Sequence, residues 1–244
     1  MIRIFIGYDD NESLAYHVLA HSIMRRASQP VSITPIRRSN LRSLFWRKRD
    51  KSESTDFSLS RFVVPASCDF FGHGIFMDSD MLCLTDIAEL WNKRSPSAAI
   101  HCVKHDYTPS SNIKMLGAIQ QPYPCKNWSS LMLMNFGRCR KLTTEYVNTA
   151  PPSELHQFKW AGDQAIKELP EEWNWLVGEY ENTCPNPKII HWTLGGPWWA
   201  QYENAPFANL WRAELSNMMD ESASVKLSSE AQNAAQRHYQ AAAG

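Results

Sequence analysis

The chain has 244 residues, 43% of them hydrophobic, with 25 basic residues against 25 acidic ones and a formal net charge of zero. That is enough apolar sequence for one large or two small domains with a real core. The charge balance leaves no electrostatic footprint for nucleic acid, and no apolar run is long enough to span a bilayer. The opening MIRIFIGYDD carries one basic residue, Arg3, and reaches acidic residues at Asp9 and Asp10. That is not the pattern of a secretory leader, so the cytoplasm is the expected location.

In chain order, strand and helix patterns alternate. Ile2 to Ile6 is a short apolar run, Asp9 to Asn11 offer capping oxygens, and Leu14, Val18, Ile23 and Met24 then recur at helical spacing up to Arg26. Val31 to Ile36 predicts a second strand, which Pro35 pushes to a sheet edge. The segment from Ser58 to Phe70 predicts a helix broken at Pro65, and a strand follows up to Met77. A short helix is expected at Asp86 to Trp91, and strands at Ala98 to Val103 and Leu131 to Phe136. Helices are expected near 138–148 and 160–168, and a strand at Ile189 to His191. This order predicts an α/β fold with a mainly parallel central sheet flanked by helices. Residues 1–212 are the expected globular domain, and 213–244, polar and rich in Ala, Ser and Gln, a peripheral helix or flexible tail.

Several chemistries lack their residues. The six cysteines never fall two apart and none pairs with a histidine at zinc-finger spacing, so they read as reduced thiols. His17 and His21 sit four apart on a helix but lack the glutamate of the metalloprotease pattern, and packing explains them better. No GxSxG, GxxxxGK or GxGxxG is present. The stretch from Arg37 to Lys51, RRSNLRSLFWRKRDK, mixes seven basic residues with four large apolar ones. It reads as a solvated loop, with peripheral contact to anionic lipid or a phosphorylated substrate as the alternative.

The distinctive stretch is GIFMDSDMLC, Gly74 to Cys83. Residues i and i+2 of a strand share a face, so Asp78 and Asp80 aim together and Ser79 points away. Two convergent carboxylates at the carboxyl end of a buried strand suit a hard divalent cation, and without one they repel. An aspartate phosphatase also follows an apolar strand with DxD, but its pattern wants Thr or Val where this chain has Leu82.

The ordered motifs resemble the nucleotide-sugar glycosyltransferases of the GT-A fold, in particular family 8, the group of glycogenin and bacterial lipopolysaccharide galactosyltransferases. IFIGYDD resembles the family's first strand and uridine-holding turn, FSLSRFVVP its nucleotide-contacting arginine, and DSD its metal motif. SSLMLMNFG resembles an asparagine-containing strand near the donor sugar, GDQ the DQ pair, and HWTLGGPWW the segment whose histidine completes the metal site. The resemblance implies Mn2+ or Mg2+ held by Asp78, Asp80 and His191. It also implies a UDP-sugar donor contacted by Tyr8, Asp9, Arg61, Ser79, Lys104, Asn135, Gly195 and Gly196. Asp163 and Gln164, with Asp106 of KHDY, would lie near the anomeric carbon, with retention of configuration. The acceptor would be a glycan or glycolipid hydroxyl. The family's lysine before Pro-Trp is Gly196 here, so Arg61, Lys104, Lys188 or the glycine backbone must replace it at the diphosphate. Eight of the ten tryptophans lie between Trp128 and Trp211, and Trp198 and Trp199 are candidates for an acceptor wall. A carbohydrate-binding protein without turnover is the alternative of another class.

Overall fold

The computed structural model describes residues 1–50, 53–109, 113–114, 117–119, 124–180 and 184–223. In chain order the strands are β1 (Ile2–Tyr8), β2 (Val31–Arg37), β3 (His73–Met77), β4 (Met81–Cys83), β5 (Ile100–Val103), β6 (Ile113–Lys114), β7 (Ala118–Ile119), β8 (Leu131–Asn135), β9 (Ile166–Leu169), β10 (Trp175–Leu176) and β11 (Ile189–His191). The helices are α1 (Ser13–Arg26), α2 (Val64–Ser67), α3 (Ile87–Trp91), α4 (Thr144–Thr149), α5 (Pro152–His156) and α6 (Ala208–Ala223), joined by several 3-10 turns. Six strands form a sheet in the order β2-β1-β3-β8-β5-β9, while β10, β11 and β4 make a second, smaller one. In the large sheet β8 alone runs against its neighbours; the other pairings are parallel, as the strand-helix alternation predicts.

The central strands β1, β3, β8 and β5 are apolar at most positions because they are covered on both sides, with Arg3, His73, His101 and Asn135 as the polar exceptions. Ile4 and Ile6 of β1, Ile75 and Met77 of β3, and Leu131 and Leu133 of β8 pack in one layer with Leu19 and Ile23 of α1. Phe5, Phe76, Met132 and Met134, one residue out of phase, pack in the opposite layer with Phe62 and Val147. That is the period of a pleated strand read on two faces. As expected, β2 is the edge strand, and Pro35 sits there without breaking a ladder.

Local differences from the expected elements have identifiable causes. In α1 the inward face holds Ala15, Val18, Leu19 and Ile23, whereas Leu14 and Met24 are exposed. Pro65 lies in the first turn of α2, where a missing N–H costs nothing, so it starts that helix instead of breaking one. The helix expected near 138–148 begins only at Thr144, where the Thr143 hydroxyl accepts from Tyr146 N–H. The stretch 160–168 is not helical: a 3-10 turn at Asp163–Ala165 leads into β9, because the open edge of β5 supplies a ladder that local propensity does not foresee. Across the expected boundary at residue 212, α6 runs on without interruption, and Glu214 within it lies 2.7 Å from His21 Nδ1 and 2.7 Å from Arg26 Nη2 of α1. His21 therefore serves this contact while His17 faces solvent, and the pair makes no metal site. Residues 224–244 of the expected tail lie outside the described residues. No helix among the described residues is long and apolar enough to cross a membrane.

Candidate metal centre

Strand β3 ends at Met77, and the chain bends through Asp78, Ser79 and Asp80 before β4. Antiparallel pairing sets His191 of β11 opposite Met81, and Trp192 N–H donates to the Asp80 carbonyl (2.9 Å). Register thus delivers the imidazole to the aspartates from more than a hundred residues away. One ligand atom from each of Asp78, Asp80 and His191 lies within 4.8 Å of the others, and His191 Nε2 is 3.2 Å from Asp80 Oδ1.

A buried amide fixes the histidine. Asn174 donates through Nδ2 to His105 Nε2 (3.0 Å) and to Ser130 Oγ (2.8 Å), so its oxygen is the atom 2.9 Å from His191 Nδ1. Nδ1 carries the proton, and in the neutral ring Nε2 turns a lone pair toward the carboxylates. A lone pair opposite two anionic groups suits a cation between them, and two oxygens with one imidazole suit Mn2+ or Mg2+. His105, whose Nδ1 bonds the Tyr180 hydroxyl, is held neutral in turn: burial, then the nearby His191, lower it from 6.5 to about 3.

Two further groups shape the charge. Arg61, buried between Phe57 and Phe76 at 5.4 and 5.0 Å, places Nη1 2.7 Å from Asp78 Oδ1 and also donates to the carbonyls of Ser58 and Ser129 (both 2.9 Å). It is engaged by the first carboxylate of the DSD turn. Ser79 is fully buried and donates to Glu12 Oε2 (2.7 Å), so its hydroxyl faces the interior. Glu12 itself was not foreseen. Burial pushes its carboxyl well above the usual range, and the charges of Asp80, Asp9 and Asp78 add to this against the Ser79 bond.

Other expected residues are placed as follows. Asp9 is buried and accepts from Asn11 N–H (2.9 Å), Asn11 Nδ2 (3.0 Å) and Asp56 N–H (2.9 Å), which fills most of its acceptor capacity and makes it a cap. Tyr8 packs on Tyr16 at 5.1 Å with the Arg37 guanidinium 5.3 Å from its ring centre. Asn135 pairs with His73 at the beginning of β3, the end of the strand remote from Asp78, because β8 runs antiparallel. The same register brings the start of β8 to the site, and there Asn127 donates to the Tyr107 hydroxyl (2.6 Å) and reaches Thr193 Oγ1 (3.4 Å). Lys104 follows β5 with its ammonium 5.7 Å from the Trp128 ring, and Asp106 is exposed just beyond. Asp163 and Gln164 are exposed before β9, and no contact among the described residues joins them to the triad, although Asp163 is near enough to help raise the Cys125 thiol. Lys188 pairs with Glu89 at 2.6 Å.

The glycine turn is a packing device. Gly195 N–H donates to the Trp192 carbonyl (3.0 Å), and a Cβ on Gly196 would stand 2.1 Å from the Trp198 ring. Trp198 lies among Trp192, Trp199 and Trp211 at 6.2, 5.4 and 5.7 Å, so it is a wall of the third core cluster more than of an acceptor groove.

No protein-family model matches the chain. Among solved structures, the bifunctional glycosyltransferase WbbM is similar over 88% of this chain at 17% identity and a TM-score of 0.62, and the chain spans 50% of its length. GlyE, a glycosyltransferase of Streptococcus pneumoniae TIGR4, is similar over 91% of this chain and 63% of its own at 14% identity and 0.58. The galactosyltransferase LgtC, solved with donor and acceptor sugar analogs, matches 88% of this chain and 96% of its own at 11% identity and 0.56. These likenesses establish the GT-A fold, with LgtC the kind of family 8 member that the ordered motifs resemble. A sequence relative is much nearer: Protein CDI of Arabidopsis thaliana is 46% identical over 221 residues, 87% of this chain and 85% of that protein. The chain belongs to the family of Protein CDI, on the GT-A fold shared by these glycosyltransferases.

Proposed function

We propose that the chain is a metal-dependent glycosyltransferase that moves a sugar from a UDP-sugar to a hydroxyl of a glycan or glycolipid, with retention of anomeric configuration. The observation that carries this reading is the convergence of Asp78, Asp80 and His191 at the carboxyl end of β3, the edge at which open α/β sheets bind their ligands. A bound dication there would offset the charge that develops on a departing diphosphate. The chain's own residues prepare that position. Asn174 orients His191, Arg61 anchors Asp78, and the buried Glu12 supports the bend through Ser79.

At the mouth, Tyr8 stacks on the base, and Lys104 supplies the positive charge that the family lysine gives elsewhere. Asn127 and Asp106, which flank the ends of β8 and β5 nearest the triad, are the polar groups for the sugar. Asp163 and Gln164 take no part in this reading. An aspartate phosphatase would need Asp78 as a nucleophile, and its pairing with Arg61 supports a ligand-holding role instead.

A screen of nucleotide sugars for UDP release tests the proposal. Release from one or a few UDP-sugars in Mn2+, abolished by EDTA, is expected. Release that persists in EDTA would remove the metal-dependent reading.

A further inference from the structure

Positive charge also gathers away from the triad in this neutral chain. A cavity of about 360 Å³ opens between the end of β2 and the loop after it, walled by Arg37, Arg38, Arg42, Arg47 and the rings of Phe45 and Trp46. Three ion pairs at its rim cancel: Arg37 with Asp10 at 2.8 Å, Arg38 with Glu53 at 3.5 Å, and Arg49 with Asp56 at 2.6 Å. Two guanidinium charges are left over. Arg47 spends its hydrogen bonds on the carbonyls of Ala150 (2.5 Å) and Val147 (3.5 Å), which hold it in place without neutralising it. Arg42 is exposed and pairs with no carboxylate among the described residues.

The loop is built, not loose. The buried Asn148 accepts from Trp46 N–H and Arg47 N–H (both 2.8 Å) and donates to the Leu44 carbonyl (3.0 Å), fixing three backbone positions with one side chain. Phe45 is anchored in the core with the Arg38 guanidinium 5.1 Å from its ring, while Trp46 is 53% exposed.

We propose that this cavity binds a phosphate-bearing group, separately from any diphosphate at the metal triad. The guanidinium fork matches phosphate oxygens, and a bare indole beside it gives flat apolar cover to the organic part of an ester. Arg37 links this wall to Tyr8, so the cavity adjoins the carboxyl ends of β1 and β2, on the same side of the sheet as Asp78. A soluble phosphate ester and a phospholipid headgroup present the same chemistry.

The test uses the full chain in EDTA, which keeps the triad out of the measurement. Calorimetry with inorganic phosphate and glucose 1-phosphate forms the soluble arm. Co-sedimentation with phosphatidylcholine vesicles, with and without phosphatidic acid, forms the membrane arm. Saturable binding is expected in at least one arm, weakening with added salt, and the responding arm identifies the source. Arg42→Ser, whose side chain supports no other group, should weaken it about tenfold, the scale of a hydrogen bond to a charged group, with an unchanged melting temperature. Trp46→Ala should weaken it too, and Asp80→Ala should not. Absence of binding in both arms, or binding unaltered in Arg42→Ser and Trp46→Ala, would overturn the proposal without touching the glycosyltransferase reading.

Discussion

Arg61 Nη1 lies 2.7 Å from Asp78 Oδ1, so the first carboxylate of the DSD turn is already held by a cation of the protein itself. Both side chains are largely out of water, and a buried carboxylate that loses its partner is costly, by about 3 to 5 kcal/mol. Arg61→Ala is therefore expected to lower stability by about 3 kcal/mol. Because a dication can take over the abandoned carboxylate, Mn2+ should raise the melting temperature of this variant more than that of the wild type. An equal or smaller metal-induced shift would show that Asp78 does not face the metal.

Asn174 positions His191 through the ring nitrogen turned away from the aspartates. Replacing it by leucine removes the acceptor for Nδ1–H and lets the ring turn or change tautomer, and losses of this kind typically cost about 10- to 100-fold in metal affinity. Titration of Mn2+ into Asn174→Leu should show that loss, and Asn174→Asp, which keeps an oxygen acceptor, should recover part of it. A purely structural role would lower the melting temperature of Asn174→Leu and leave Mn2+ affinity unmoved.

Two buried groups pull the pH dependence of stability in opposite directions. His105 is lowered from 6.5 to about 3, so the folded protein binds fewer protons than the unfolded chain between those values. Its contribution is complete above pH 6.5 and is lost as pH falls toward 3. Glu12 is raised by burial and by the neighbouring aspartates, so its contribution is complete below pH 4.5 and is lost as pH rises through its folded value. Melting temperatures in EDTA should flatten on the acid side in His105→Gln. Glu12→Gln, which keeps an acceptor for Ser79, should gain stability relative to the wild type as pH rises. The opposite slopes would contradict the burial of these groups.

Gly196 is constrained by the ring above it. A methyl group there meets Trp198 at 2.1 Å, so Gly196→Ala should destabilise by about 1 to 3 kcal/mol, the usual cost of overpacking. Gly196→Lys should fare worse, and introducing the family's lysine should not tighten nucleotide binding. Denaturant unfolding of both variants checks this.

The convergence of Asp78, Asp80 and His191 was legible because their residue types, their order and the flanking apolar strands all point one way. What the sequence concealed is direction and depth. An apolar run such as Leu131 to Asn135 reads the same whether its strand runs up or down. Antiparallel β8 therefore carries Asn135 to the far end of β3 and brings Asn127 to the end nearest Asp78. Glu12, inside the polar string DDNES, looks like one more surface acid until α1 closes over it. The motif around Arg61 names the residue but not the partner that packing gives it, which is Asp78. The glycines before Trp198 read equally well as a phosphate turn or as room for a ring, and the ring contact is visible only in the tertiary structure.

Calorimetric titration of UDP into wild type and Asp80→Ala, each with saturating Mn2+ and again with EDTA, tests the central claim most directly. Mn2+-dependent UDP binding in the wild type is expected, with that dependence lost in a well-folded Asp80→Ala protein. UDP affinity that is the same in both proteins and indifferent to EDTA would contradict a cation site built from Asp78, Asp80 and His191.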